Sequence, residues 1–111
     1  MQREIRKYLF DIKESIEAIE QFLGEKRDFT IYSKNKLLRR GVERELGIIG
    51  EAMGKLIKAD SKIEISNPRR IIDLRNWVIH GYDKVDDVII WGIVIKDIPI
   101  LKKEIEKLFK S

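Results

Sequence analysis

A chain of 111 residues that is 43% hydrophobic and 38% charged has apolar material for one folded domain, read as spanning 1–111, and little to spare for a second. With no cysteine and a single histidine, it can build neither a disulfide framework nor, within one protomer, a zinc or iron centre of the His/Cys kind, so no cofactor and no metal is expected. The net charge of +4 is compatible with a phosphate-bearing partner but does not specify one.

The opening segment spaces Ile5, Leu9, Ile12, Ile16, Ile19 and Phe22 by three or four residues, one face of an amphipathic helix that Gly24 should end. A polar stretch through Asp28, Thr30 and Ser33 then leads to a second helix, with Leu38, Val42, Leu46, Ile49, Met53 and Leu56 repeating at the same period. Gly47, Gly50 and Gly54 interrupt that helix at about 1 kcal/mol each relative to alanine, which predicts the close approach of another helix. Met53 reads as core. Asn67 before Pro68 reads as an N-cap with proline in the first helical position, opening a third helix that Gly81 closes. After Asp83, Asp86 and Asp87 comes VIIWGIVI, whose β-branched density suits a strand on propensity alone. A lone strand cannot satisfy its backbone, so Asp86 to Lys96 is expected to be a buried helix. Pro99 should begin a last amphipathic helix through Leu101, Ile105, Leu108 and Phe109. The expected fold is all-α, a small antiparallel bundle of about five helices.

The apolar runs around Gly92 are far shorter than the roughly 20 residues of a membrane span, and Glu4, Asp11 and Glu14 break up any leader-like stretch. A cytoplasmic protein that does not contact membranes is expected. Lys34, Lys36, Arg39, Arg40, Arg69, Arg70 and Arg75 are the residues from which a basic patch could be drawn, with a merely solvated surface as the equal alternative.

The third helix carries the chain's chemistry. His80 is the only side chain with an ordinary pKa near neutrality, hence the first candidate for proton transfer. At about 100° per residue, Asp73, Asn76 and His80 fall within roughly 60° of one another, and Asn76 stands one turn before the imidazole it could orient. Asp73 reads more readily as a solvated carboxylate than as a working group. Arg75 falls between Ile71 and Ile79, within the apolar arc, where an unpaired guanidinium would cost several kcal/mol. It should therefore meet a carboxylate, a phosphate or a subunit interface. The five residues from Arg75 to His80 turn through about 140° beyond one full revolution, so the two do not share a face. A last turn that unwinds, or a twofold axis pairing Arg75 of one subunit with His80 of the other, would bring them together. Two arginines and two histidines in one cleft suit phosphodiester chemistry: guanidinium forks hold phosphate oxygens and imidazole shuttles protons.

The string Arg75-Asn76-Trp77-Val78-Ile79-His80-Gly81-Tyr82 resembles the Arg-x-x-x-x-His-x-Tyr motif of the HepT-like toxins in the HEPN superfamily. YLFDIKESIEAIEQF from Tyr8, GVERELGIIGEAMGKL from Gly41, HGYDKVDDVIIWGIV from His80 and IPIL from Ile98 resemble the same family in the same order, so the likeness covers nearly the whole chain. It implies an all-helical homodimer with the motif-bearing helix at its interface, and metal-independent RNA cleavage by a toxin. It further implies an antitoxin partner, a small nucleotidyltransferase of the MntA type that transfers AMP to the motif tyrosine, with higher assembly between the two. Carried over by position, Arg75 and His80 are the catalytic pair, Asn76 a supporting polar residue and Tyr82 the AMPylation target. The competing expectation is a helical module that holds a nucleotide or docks a nucleotidyltransferase without cleaving RNA, or a purely structural interaction domain.

Overall fold

The computed structural model describes residues 2–80 and 87–110, and of residues 75–80 the backbone alone. The expected Gly81 cap and the motif tyrosine Tyr82 lie outside the described residues. Helices account for nearly all the rest: α1 (Arg3–Leu23), α2 (Phe29–Lys34), α3 (Lys36–Ala59), α4 (Pro68–His80), α5 (Asp87–Gly92), a π-helical turn (Ile93–Asp97) and α6 (Ile98–Lys110). No strand occurs among the described residues, and the VIIWGIVI segment is helical throughout.

The two amphipathic stripes read from the sequence meet as the centre of the core. Leu9, Ile12, Ile16 and Ile19 of α1 and Val42, Leu46, Ile49, Met53 and Leu56 of α3 are all fully or almost fully buried. Each such side chain is worth roughly 1.5–3 kcal/mol of apolar transfer. The pair is antiparallel: the Phe22 ring near the end of α1 lies 3.2 Å from where a β-carbon on Gly41 would stand, near the start of α3. At the other end, Ile5 shares a surface groove with Ala59. Of the glycines expected to admit a neighbouring helix, Gly54 has open space, since a β-carbon there would meet nothing within 4 Å. α6 closes the far side of α1 in antiparallel sense, through Lys102 Nζ on the Glu20 carboxylate at 2.9 Å and the Lys13 ammonium 5.6 Å from the Phe109 ring centroid.

Two connections differ from expectation. The polar stretch before α3 contains a short helix, α2. The Asp28 carboxylate accepts from Thr30 N at 2.8 Å and Ile31 N at 3.3 Å, and Asn35 both ends α2 and caps α3 by accepting from Leu38 N at 3.0 Å. α2 exists to bury Tyr32, which is wholly inaccessible to solvent. Second, Pro99 does not begin a helix; it lies in the first turn of α6, which continues the helical run from Asp87 without a break. Proline offers no N–H and its ring crowds the carbonyl four residues back. The ladder responds by widening: Ile98 N donates to Ile93 O, an i to i−5 bond, and the π turn absorbs the misfit. Nor is this segment buried all round, since Val88 and Ile89 are exposed while Ile90, Ile93 and Val94 face the core.

The turn into α4 is fixed from outside. Glu104 of α6 accepts from Ser66 N at 2.8 Å and from Ser66 Oγ at 3.2 Å. Asn67 then takes φ 50°, the left-handed region that asparagine tolerates better than most residues, and its carbonyl accepts from Ile71 N at 3.4 Å. Pro68 occupies the first helical position as expected.

Candidate functional site

α4 places the motif by a simple register. Ile71 and Leu74 are 3% and 2% exposed and seal the helix to the bundle, so the core-facing direction lies between them. At about 100° per residue, the backbone positions of Asn76 and His80 fall on the opposite side of the helix, and that of Arg75 to one flank. The helix remains regular through His80, so the register carries Arg75 and His80 about 140° apart within one chain. The structure therefore does not supply the unwound last turn that would have joined them in one protomer.

α4 runs antiparallel to the α5–α6 run. Arg70 Nε lies 3.1 Å from Asp97 Oδ2, and one turn further along α4, Leu74 lines a groove with Ile89, Ile90 and Ile93. The groove, of about 740 Å³, is also bordered by Asn67, Arg69 and Asp73. Asp73 is partly exposed there. Arg69 and Arg70 precede His80 by ten residues or more, about 15 Å along the helix axis.

The start of α5 is held by a polar and aromatic cluster that periodicity alone did not reveal. Arg39 of α3 reaches Asp87 at 3.7 Å. Tyr32 packs on Trp91 at 5.2 Å between ring centroids, and Phe29 meets Trp91 edge-on at 6.0 Å. Glu43 is buried, with one oxygen 2.9 Å from Arg40 Nη1. Burial, followed by the negative charges of Glu43 and Asp87, pushes the Tyr32 phenol well above the ordinary tyrosine range, with Arg39 acting in the opposite sense. These groups tie α2, α3 and α5 together. The signal for them was local: an Asp cap before an aromatic-rich hexapeptide, and an asparagine six residues after Phe29. Among the described residues, no three carboxylate, imidazole or thiol groups converge on a possible metal position.

The described residues form an all-helical bundle in which the His80 position of the Arg-x-x-x-x-His helix lies on the side opposite the buried Ile71 and Leu74. The chain belongs to the HepT-like ribonuclease family, whose model matches residues 12–108. It is 38% identical over 111 residues to a protein of Thermococcus cleftensis named as the probable ribonuclease HepT, covering 99% of this chain and all of that one. A protein of Methanocaldococcus jannaschii named as a candidate RNase is 36% identical over 106 residues, 94% of this chain and 95% of the relative. Another so named, from Caldanaerobacter subterraneus subsp. tengcongensis, is 34% identical over 108 residues, 96% and 95% of the two chains. No solved structure matches. No helix among the described residues is long and apolar enough to cross a membrane.

Proposed function

We propose that this ribonuclease is the toxin of a toxin–antitoxin pair and cuts RNA without a metal at a site shared between two copies of α4. The observation that carries the proposal is the register of α4, which sets the His80 position opposite the sealed Ile71–Leu74 face and about 140° from Arg75. One protomer cannot close such a pair on one phosphate, whereas a twofold axis beside the helix can.

In the proposed reaction, His80 removes the proton from a ribose 2′-hydroxyl as its oxygen attacks the adjacent phosphorus. Arg75 holds the phosphoryl oxygens as negative charge builds on them. The bond to the 5′-oxygen of the next nucleotide breaks, and the imidazole of the partner subunit's His80 returns a proton to that oxygen. The products are a 2′,3′-cyclic phosphate and a free 5′-hydroxyl. Asn76, one turn before His80, orients the ring. Regulation falls to Tyr82: an MntA-type nucleotidyltransferase that adds AMP there would set a phosphate and an adenosine two residues from His80, offsetting Arg75 and obstructing RNA together.

The test is product analysis. Purified, unmodified protein incubated with a labelled oligoribonucleotide in excess chelator should yield fragments whose masses show cyclic phosphate and 5′-hydroxyl ends. Cleavage abolished by chelator, or fragments ending in a 5′-phosphate, would contradict the mechanism. Coexpression with an MntA-type nucleotidyltransferase should add one or more adenylate masses to the peptide containing Tyr82. Tight binding of that partner with no RNA turnover by the free protein would favour the non-catalytic docking module instead.

A further inference from the structure

The charge of this chain is concentrated in one stretch. Between Lys26 and Arg44 stand seven cations (Lys26, Arg27, Lys34, Lys36, Arg39, Arg40 and Arg44) against two carboxylates, Asp28 and Glu43, a surplus of five, whereas the whole chain has a surplus of four. Everything outside this segment is therefore slightly acidic. The structure arranges part of it as a stripe. Along α3 the positions of Lys36, Arg40 and Arg44 fall within about 80° of one another, opposite the buried row of Val42, Leu46 and Ile49, and span about 12 Å of helix axis. All three are exposed, as are Lys26, Arg27 and Lys34. Among the described residues, the carboxylates bonded to this segment's cations are Glu43, held by Arg40, and Asp87, held by Arg39. Lys34, Lys36 and Arg44 pair with none of the described carboxylates.

The placement gives the stripe a use. The Arg39–Asp87 pair ties the start of α3 to the first turn of α5, and Asp87 follows His80, the last residue of α4, by only seven positions in the chain. We infer that the α2–α3 corner, through Lys34, Lys36 and Arg44, is a cradle for the phosphate backbone of single-stranded RNA flanking the bond that is cut. This inference rests on the ribonuclease reading and extends it to substrate binding. A second copy of the chain is a poor occupant, because a twofold axis through the corner would face two stripes of like charge. Sequence-independent holding by such cations follows from release of condensed counterions, about 0.7 in logarithmic salt dependence for each phosphate contact on a single strand. The cradle holds substrate and touches no reacting atom, so it governs KM and leaves kcat alone.

The experiment uses a fluorescently labelled 2′-O-methyl oligoribonucleotide, which presents phosphates yet has no 2′-hydroxyl to attack. Its affinity is followed by anisotropy from about 50 to 300 mM salt. Lys34→Gln/Lys36→Gln/Arg44→Gln should weaken binding about 10–100-fold near 0.1 M salt and lower the logarithmic salt slope by about 2, from three lost contacts. Lys7→Gln/Lys103→Gln/Lys110→Gln, with the same change in net charge at exposed positions elsewhere, should change affinity less than about twofold. On a cleavable RNA the stripe variant should raise KM at unchanged kcat. An unchanged slope in the stripe variant, or equal losses in both triple variants, would overturn the cradle. So would a stripe variant that holds RNA normally but has lost an acidic protein partner. None of these outcomes bears on whether the wild-type protein cuts RNA, so failure of the cradle and failure of the nuclease reading are read separately.

Discussion

Tyr32→Phe tests the cluster that braces α5. The Tyr32 phenol is inaccessible to solvent and packed on Trp91, and its ionisation is pushed up by burial and by the carboxylates of Glu43 and Asp87. In the unfolded chain the same phenol ionises near pH 10. An acid whose folded pKa is raised contributes fully below its unfolded pKa and loses that contribution as pH climbs, because only the unfolded chain releases the proton. Stability should therefore fall through Tyr32 by about 1.4 kcal/mol for each pH unit above 10, close to 3 kcal/mol by pH 12. The assay is urea unfolding of the wild type and the phenylalanine variant at intervals from pH 8 to 11.5, with phenolate absorbance followed in parallel. The variant should lose stability less steeply above pH 10, and the native wild type should keep one of its three tyrosines un-ionised until it unfolds. Identical alkaline slopes in the two proteins, or three tyrosines titrating together before unfolding, would refute the buried position of this ring.

Three further outcomes follow from the packing. Gly54→Ala, at a helical position where a β-carbon meets nothing within 4 Å, should stabilise the protein by about 0.5–1 kcal/mol in thermal or urea unfolding; destabilisation would show that a second molecule covers the site. Leu46→Ala, in the fully buried α1–α3 seam, should cost about 2–5 kcal/mol, and a cost below 1 kcal/mol would mean that the seam is not the core. The Lys102–Glu20 contact joins α1 to α6 at a partly exposed site and should be worth about 0.2–1 kcal/mol. Its hydrogen bond to Glu20 raises the Lys102 pKa above the ordinary 10.5, so its contribution is complete below that pH and is lost as pH rises through the raised value. Lys102→Met should remove that part of the alkaline dependence, and an unchanged profile would count against the contact.

Long amphipathic segments were legible because their period survives in sequence: the stripes on α1 and α3 are the core, and Met53 is part of it. Short elements were not, because six residues show less than two helical turns. α2 is stabilised by the Asp28 cap and by burial of Tyr32, and neither has a period. Pro99 misled for a different reason. Proline in a first turn marks a helix start in isolation, but here tertiary packing carries the helix on and the misfit appears one turn earlier, as the Ile98 N to Ile93 O bond. At the candidate site, the sequence supplied the residue types and their angular register on α4. It did not supply the surroundings, since the Arg39–Asp87 and Tyr32–Trp91 contacts join residues 48 and 59 positions apart in the chain. The contrast between Lys36 and Arg70, both flagged as basic, also needed the fold, which pairs Arg70 with Asp97 and leaves Lys36 exposed at the start of α3.

The most direct test of the central claim is turnover of labelled RNA by the purified, unmodified protein beside His80→Ala and Arg75→Ala, each shown to be folded and of unchanged oligomeric state. Loss of a general base or of a charge-stabilising group typically costs about 10²–10⁴-fold in rate, and each variant is predicted to fall by at least 10² at saturating RNA. Retention of wild-type turnover in either variant would contradict the assignment of the α4 terminus as the site of cleavage.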